Sequence, residues 1–185
     1  AGTSGLTRTQ IARAYEAMRT GDYEKMASYF DTSSPENGAV FWSGNKEGAA
    51  AYANGIGGTI MEQTLGGQVF DNWEALQRRY PEWDTKTALD QRKIWEALSA
   101  QYASGASGEV IYAVKEGYNN PNSIWKTVES PILQKLFDDG IVTNITTEVL
   151  KGEENGKKCI LRKSAKTNKC YWFRKVKWIQ CRIIR

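Results

Sequence analysis

The chain contains no histidine. That removes Ser-His-Asp and Cys-His catalysis, His-ligated zinc hydrolysis and paired-His nuclease chemistry. General acid–base work must fall to Asp, Glu, Lys, Tyr or Cys, and a reaction with an already good leaving group suits that inventory. Cysteine is scarce. Cys159, Cys170 and Cys181 are spaced by 11 and 11 and all lie in the last 27 residues. An odd count, with none in the first 158 residues, argues against a disulfide-built extracellular fold. Small buried apolar residues on strands are the preferred reading of these thiols. One disulfide plus a free thiol is the alternative, and three ligands without histidine argue against a metal site. No apolar run approaches the ~20 residues of a membrane span. No signal peptide is visible, and Ala1-Gly2-Thr3-Ser4-Gly5 is read as a linker or a processed start.

What is present is ordinary in bulk and uneven in detail. Of 185 residues, 41% are hydrophobic and 25% charged, which fits one domain or two small lobes around a cleft. Residues 151–185 carry twelve Lys and Arg against Glu153 and Glu154, a net +10. The first 150 residues carry 13 bases and 19 acids, a net −6. A near-neutral average thus hides an acidic body, expected over 1–150, and a basic extension over 151–185.

Thr7-Arg8-Thr9-Gln10 reads as a capping box, with Ile11, Tyr15 and Met18 following at helical spacing. Asp22 is placed to start a second helix. Ala39–Trp42 reads as a strand, and helical residues resume over Asn45–Asn54. Gly55–Gly58 lacks the Lys-Ser/Thr of a Walker site and reads as a turn that delivers Thr59–Glu62 in extended form. Gly66-Gly67 marks a permissive backbone point or lets a helix approach closely. Phe70, Trp73 and Leu76 fit a helix face. The segment from Asp84 to Ala103 is a helix with Leu89, Ile94, Leu98 and Tyr102 as its core stripe. Trp95 and Ser99 share a second face.

Glu109–Val114 is apolar at consecutive positions, as in a parallel strand covered on both faces. Tyr118–Asn122 is a loop. Ile124–Glu129 is expected to be extended or to start a turn, with Pro131 blocking regular continuation. Ile141, Thr143, Ile145, Thr147 and Val149 alternate as a strand. Two or three strands are expected in the tail, at Lys158–Arg162, Cys170–Val176 and Trp178–Ile184. The fold class is therefore α/β: a mainly helical lobe over about 1–80, a small parallel-sheet lobe over about 81–150, and the basic β extension.

Four short stretches carry the chemistry. They are Phe41-Trp42-Ser43, Met61-Glu62-Gln63-Thr64, Ile94–Ser99 and Thr127-Val128-Glu129. Two tryptophans and two glutamates in this order suit a site for a cationic aromatic ring and a developing positive charge on a sugar. The order resembles the ADP-ribosyl cyclase and NAD glycohydrolase family. Phe41-Trp42-Ser43 looks like its tryptophan-serine segment, and Met61–Leu65 like its Leu-Glu-Asp-Thr signature. Trp95–Ser99 is similar to its tryptophan helix, and Asn122–Glu129 to the segment ending in the catalytic glutamate. The resemblance runs from about Val40 to Leu150. Gln63 stands where the family usually has Asp, and Gly44 replaces an Arg that would face phosphate. Lys126 is a candidate to supply that charge. The family's disulfide cysteines are absent from the matched region, which points to a bacterial or cytosol-acting relative. A competing alignment takes Trp125-Lys126-Thr127-Val128 as the tryptophan helix and makes Glu148 the catalytic acid. It leaves the strand Val110–Val114 without a place.

The resemblance implies an NAD+ glycohydrolase. A pyridinium leaves as a neutral base, so no proton need be delivered to it, and the barrier lies in forming an oxocarbenium-like ribose. Glu129 would stabilise that charge and Glu62 would accept a hydrogen bond from the carboxamide. Trp42 and Trp95 would wall the ring, with cation–π contact worth about 0.5–2 kcal/mol. Ser43 and Ser99 would hold ribose or phosphate oxygens, with Trp125, Lys126 and Thr127 completing the substrate-binding set. No cofactor is implied, since NAD+ or NADP+ is the substrate. Hydrolysis to ADP-ribose is favoured over cyclic ADP-ribose, because cyclisation needs a folded substrate and closure against water. Small size and the basic extension suggest a secreted effector delivered to a target-cell cytoplasm, with a cognate immunity protein as its inhibitor. The alternative is a nucleic-acid-binding or RNA-cleaving module built on Tyr171, Trp172, Phe173, Lys175, Lys177 and Trp178. Lysines guarding a sheet edge are the simpler reading of that stretch.

Overall fold

A computed structural model describes residues 6–84 and 88–151, and the backbone of strands over 158–164, 167–174 and 177–181; the side chains at 88 and 89 lie outside the described residues. The N-terminal helices begin where short polar side chains satisfy the first free N–H groups. Thr7 and Gln10 form the reciprocal capping box of α1 (Arg8–Arg19). Asp22 accepts from the Lys25 N–H to start α2 (Tyr23–Ser28). Asn45 accepts from the Gly48 N–H at the start of α3 (Lys46–Ile56). Thr64 does the same for Gly67 at α4 (Leu65–Asp71). The expected face of Phe70, Trp73 and Leu76 is split at Asn72, where α5 (Trp73–Arg79) begins. Phe30, Phe70 and Trp83 are buried in an edge-to-face aromatic cluster, and Leu76 is buried in the same core.

Gly66 and Gly67 allow α4 to lie against the preceding chain. A Cβ on Gly67 would collide with the Met61 carbonyl oxygen and stand 2.8 Å from Glu62 Cα. The Gly66 N–H donates to the Asp31 carbonyl at 2.6 Å. Close approach is thus the reason for the glycine pair, and it fixes the short 3₁₀ turn Met61–Gln63.

The long helix is α6 (Ala88–Ser104). Ile94, Leu98 and Tyr102 are buried as the sequence predicts, and Leu89 falls on a side chain outside the described residues. Tyr102 ties α6 to the sheet. Its hydroxyl accepts from the Val40 N–H at 3.0 Å and donates to the Thr59 carbonyl at 2.6 Å.

Strands β1 (Ala39–Ser43), β2 (Gly108–Lys115) and β3 (Val142–Leu150) form a parallel sheet in that order. The middle strand β2 is buried at Val110, Ile111, Tyr112 and Ala113, covered on both faces as expected of a central parallel strand. One face meets the helical core through Phe41, Val110 and Tyr112. The other meets α3 through Val40, Ile111 and Ala113.

Met61 and Glu62, expected to be extended, lie in the 3₁₀ turn instead, and two further sequence expectations are corrected. The first concerns β3, where Val142, Glu148 and Leu150 are buried and Ile141 is 49% exposed. Ile145 packs on the helical core while Leu150 joins the α3 side, so β3, like β2, is covered on both faces rather than on one alternate set. The second concerns Trp125–Glu129: of the two expected forms, extended or starting a turn, the chain takes the turn, a wide π-type one that leads into a helix. The Ser130 N–H reaches back five residues to the Trp125 carbonyl, and α7 (Ser130–Asp138) follows with Pro131 in its first turn. Proline has no N–H to satisfy there, so it starts the new helix instead of blocking it. Leu133 is buried and Ile132 and Leu136 pack on the helical core, which gives α7 its inner stripe.

Beyond β3 the sheet continues antiparallel through β4 (Lys158–Ser164), β5 (Thr167–Arg174) and β6 (Lys177–Cys181). Of the two or three strands expected in the tail, three are present, with the second starting three residues earlier than expected; Val176 and residues 182–184 of the expected ranges lie outside the described residues. The state of the cysteines and the faces of the tail aromatics lie outside the described residues. Among the described residues no helix is long and apolar enough to cross a membrane.

Candidate active site

Open parallel sheets bind ligands in the crevice beyond the carboxyl ends of their strands. A cleft of 430 Å³ lies there, lined by Trp42, Ser43 and Gly44 at the end of β1 and by Tyr118, Asn120 and residues 122–125 after β2. Its other walls come from the Met61–Gln63 turn, α6 and the π-type turn. A larger hollow of 520 Å³ between α1 and α4–α5 is lined by Leu6, Ile11, Leu76 and Tyr80, with Asp71 and Arg79 as its charged groups. It brings no buried acid together with an indole, so the chemistry belongs to the cleft.

The cleft collects Trp42, Trp95, Glu62, Glu129, Ser43, Ser99 and Trp125. Glu129 closes the π-type turn and is only 7% exposed. Wide turns of this kind re-aim side chains and are frequent at functional sites. Here the turn carries Trp125 and Glu129 on one face of the cleft. Burial is the main influence on the Glu129 carboxyl and pushes its pKa up to about 8; the Ser99 hydroxyl draws it down, and the nearby Glu62 adds a smaller upward push. Ser99 lies one helical turn from Trp95 on α6, so a single helix presents the carboxylate's partner and an indole wall.

Glu62 sits in the 3₁₀ turn opposite. Trp42 Nε1 donates to both of its carboxylate oxygens at 3.1 Å. Burial raises its pKa above the ordinary carboxylate range, and Asp71 adds to this. Its own backbone N–H, the indole of Trp42 and the Lys46 ammonium draw it down. Trp42 therefore does more than the expected aromatic wall, since it also fixes the second carboxylate. Lys46 is paired with Asp71 at 2.6 Å on the same rim.

Trp125 stacks flat on Tyr112, with ring centroids 3.9 Å apart and planes 3° from parallel, and tilts against Phe41 at 5.7 Å. It anchors the π-type turn to the sheet as well as lining the cleft. Ser43 is buried, and its hydroxyl bonds the Tyr112 hydroxyl.

The structure places Lys126 and Thr127 elsewhere. Both are exposed and absent from the cleft wall, because the turn that aims Trp125 and Glu129 inward rotates the residues after Trp125 outward. Lys126 Nζ reaches Asn119 Oδ1 at 3.4 Å, and the Thr127 hydroxyl donates to the Ser123 carbonyl at 3.0 Å. An arginine at position 44 would not fit either. Gly44 has φ +79°, and a Cβ there would stand 2.7 Å from the Tyr118 ring. Glu148 is fully buried in β3, paired in register with Ala113, and accepts from the Tyr52 hydroxyl on the α3 side of the sheet. It does not line the cleft, which removes the geometric ground for the competing alignment.

Sequence reasoning missed Arg92, Asp71, Tyr118, Asn120 and Asn122 as lining residues. For Arg92 a signal existed, since it stands three residues before Trp95 and seven before Ser99 on a single helix face.

The ADP-ribosyl cyclase family model matches residues 6–181, past the Leu150 limit of the motifs and through the tail strands. The ADP-ribosyl cyclase/cyclic ADP-ribose hydrolase of Aplysia californica is 30% identical over 158 residues, 75% of this chain and 54% of that protein. The chain thus spans about half the length of this curated relative. The crystal structure of Aplysia cyclase complexed with substrate NGD and product cGDPR is similar at a TM-score of 0.59 and 26% identity, covering 79% of this chain and 64% of that one. Porcine CD38 complexed with a covalent intermediate has the same fold at a TM-score of 0.53 and 18% identity, over 80% of this chain and 87% of that one. A matched span of nearly the whole chain, a shared fold and a relative at 30% identity agree, and the chain belongs to the ADP-ribosyl cyclase family.

Proposed function

We propose that this chain cleaves the nicotinamide–ribose bond of NAD+ or NADP+, releasing nicotinamide and ADP-ribose or its phosphorylated form. The observation that carries the reading is the buried Glu129 carboxyl in one cleft with the Trp42–Glu62 pair and the Trp95 indole. The Aplysia relative, crystallised with the substrate NGD, supports a dinucleotide as the ligand.

The pyridinium enters between indoles, and Glu62, already oriented by Trp42, accepts from the carboxamide N–H. The ring's positive charge favours ionisation of Glu129, whose carboxyl in the ligand-free cleft is pushed up to about 8. Substrate thus helps make the anion that its own reaction needs. The C1′–N bond breaks, its electron pair leaves with neutral nicotinamide, and the carboxylate stabilises the oxocarbenium-like ribose from below. Water adds to C1′ and passes its proton to solvent, so that NAD+ and water become nicotinamide, ADP-ribose and one released proton. Exposed Asn120 and Asn122 on the rim admit water, which favours hydrolysis over ring closure.

Incubation with NAD+ followed by chromatography tests this. Nicotinamide and ADP-ribose in equal amounts are expected. Intact NAD+ after prolonged incubation with folded protein would overturn the reading, and cyclic ADP-ribose as the main product would overturn the hydrolytic part.

A further inference from the structure

The structure assigns to Arg92 the grip on the substrate's phosphate, making it a specificity-determining residue for phosphorylated nicotinamide ribosides. This rests on the NAD-cleaving reading above and adds the residue that selects the ligand's length. Helix α6 presents Ser99, Trp95 and Arg92 along one face at intervals of four and three residues, and all three line the cleft. Seven residues of helix span roughly 10 Å. Ser99 marks the deep end beside Glu129, Trp95 the middle, and Arg92 the mouth. A ligand with its ribose at Glu129 therefore meets a cation where its 5′-phosphate leaves the cleft.

Arg92 is chosen by its place at the cleft mouth and its spare donors, since both cleft cations are paired with a carboxylate. The cations lining the cleft among the described residues are Lys46 and Arg92. Lys46 is held by the Asp71 carboxylate, which lines the same rim. Arg92 Nε donates to Glu96 at 2.7 Å, and Nη2 donates to the Asn122 carbonyl at 2.9 Å. These bonds fix the guanidinium plane while engaging two of its five N–H donors, and the side chain is 44% exposed. The remaining donors match phosphate oxygens. The Asn122 bond also holds the mouth loop to α6, so ligand charge and loop position meet on one side chain.

The test compares NAD+, nicotinamide mononucleotide and nicotinamide riboside as substrates of the full chain and of Arg92→Gln and Arg92→Lys. Expected for Arg92→Gln is a KM raised at least tenfold for the two phosphorylated substrates, with kcat within threefold and a loss under threefold in kcat/KM for the riboside, the part due to the loop's lost tie to α6. Arg92→Lys should recover part of the loss. An equal fall for all three substrates would mean that Arg92 only braces the loop, and no change would mean that it does nothing for binding; either overturns the assignment. If the wild-type chain releases nicotinamide from none of them, the NAD-cleaving reading itself fails. Calorimetric titration with ADP-ribose then reads the phosphate grip alone. A tenfold weaker affinity in Arg92→Gln supports it, and equal affinity overturns it.

Discussion

Replacing Glu129 by Gln should stabilise the protein while abolishing its proposed activity, and the gain should depend on pH. The carboxyl is 7% exposed, and its pKa is raised from 4.5 to about 8, mainly by burial. Between those values the folded chain holds a proton that the unfolded chain has released. Stability from this group is therefore complete below pH 4.5 and is lost as pH rises through about 8. At 1.36 kcal/mol per unit, the full loss is roughly 5 kcal/mol, with about 3 kcal/mol already gone at neutral pH. Glutamine keeps the shape and the hydrogen-bonding reach to Ser99 and never ionises. Urea denaturation of both proteins at pH 5, 7 and 9 would read the difference as a shift in midpoint at constant m. The variant should match wild type within about 1 kcal/mol at pH 5 and exceed it by about 3–5 kcal/mol at pH 9. A gap that stays the same across this range would refute a buried, proton-holding Glu129.

The same titration governs turnover. In the free enzyme kcat/KM for NAD+ should rise with pH along a limb set by Glu129 near 8, and Glu62→Gln should move that limb to lower pH by removing the neighbouring negative charge; a limb unmoved by Glu62→Gln would count against their coupling. Trp42→Phe removes the donor to both Glu62 oxygens. Hydrogen bonds to charged groups are worth about 1.5–3 kcal/mol, so kcat/KM should fall roughly 10- to 100-fold, and a change under threefold would mean that Glu62 needs no orientation. Gly67→Ala drives a methyl onto the Met61 carbonyl beside Glu62. It should cost about 1–3 kcal/mol in denaturation and lower activity together with stability, whereas a neutral result would deny the tight approach of α4.

Much of this cleft is written in local chemistry that a sequence displays. Caps at Thr7, Asp22 and Asn45 depend on a side chain and an N–H three residues on. The continuous apolar run of β2 follows from having a layer on each face. Trp42, Glu62, Trp95 and Glu129 were legible as an ordered set, and the fold brings them to one cavity. What was not legible depends on wide turns and on rims. The π-type turn has no spacing signature of its own, and Pro131 read as a break when it begins α7. That single turn decides why Trp125 and Glu129 face the cleft and Lys126 and Thr127 do not. Asp71, Tyr118 and Asn122 reach the rim from segments far apart in sequence, so no local pattern announces them. The buried Glu148 inverts the usual reading of a strand, because its Tyr52 partner comes from α3, 96 residues away.

The most direct measurement is nicotinamide release from NAD+ by wild type and by Glu129→Gln, each shown to be folded by its denaturation curve. Wild type should free nicotinamide and ADP-ribose one for one, and the variant should fall by at least a hundredfold. Equal release from both proteins, or none from wild type, would contradict a buried carboxylate beneath the anomeric carbon as the centre of this cleft.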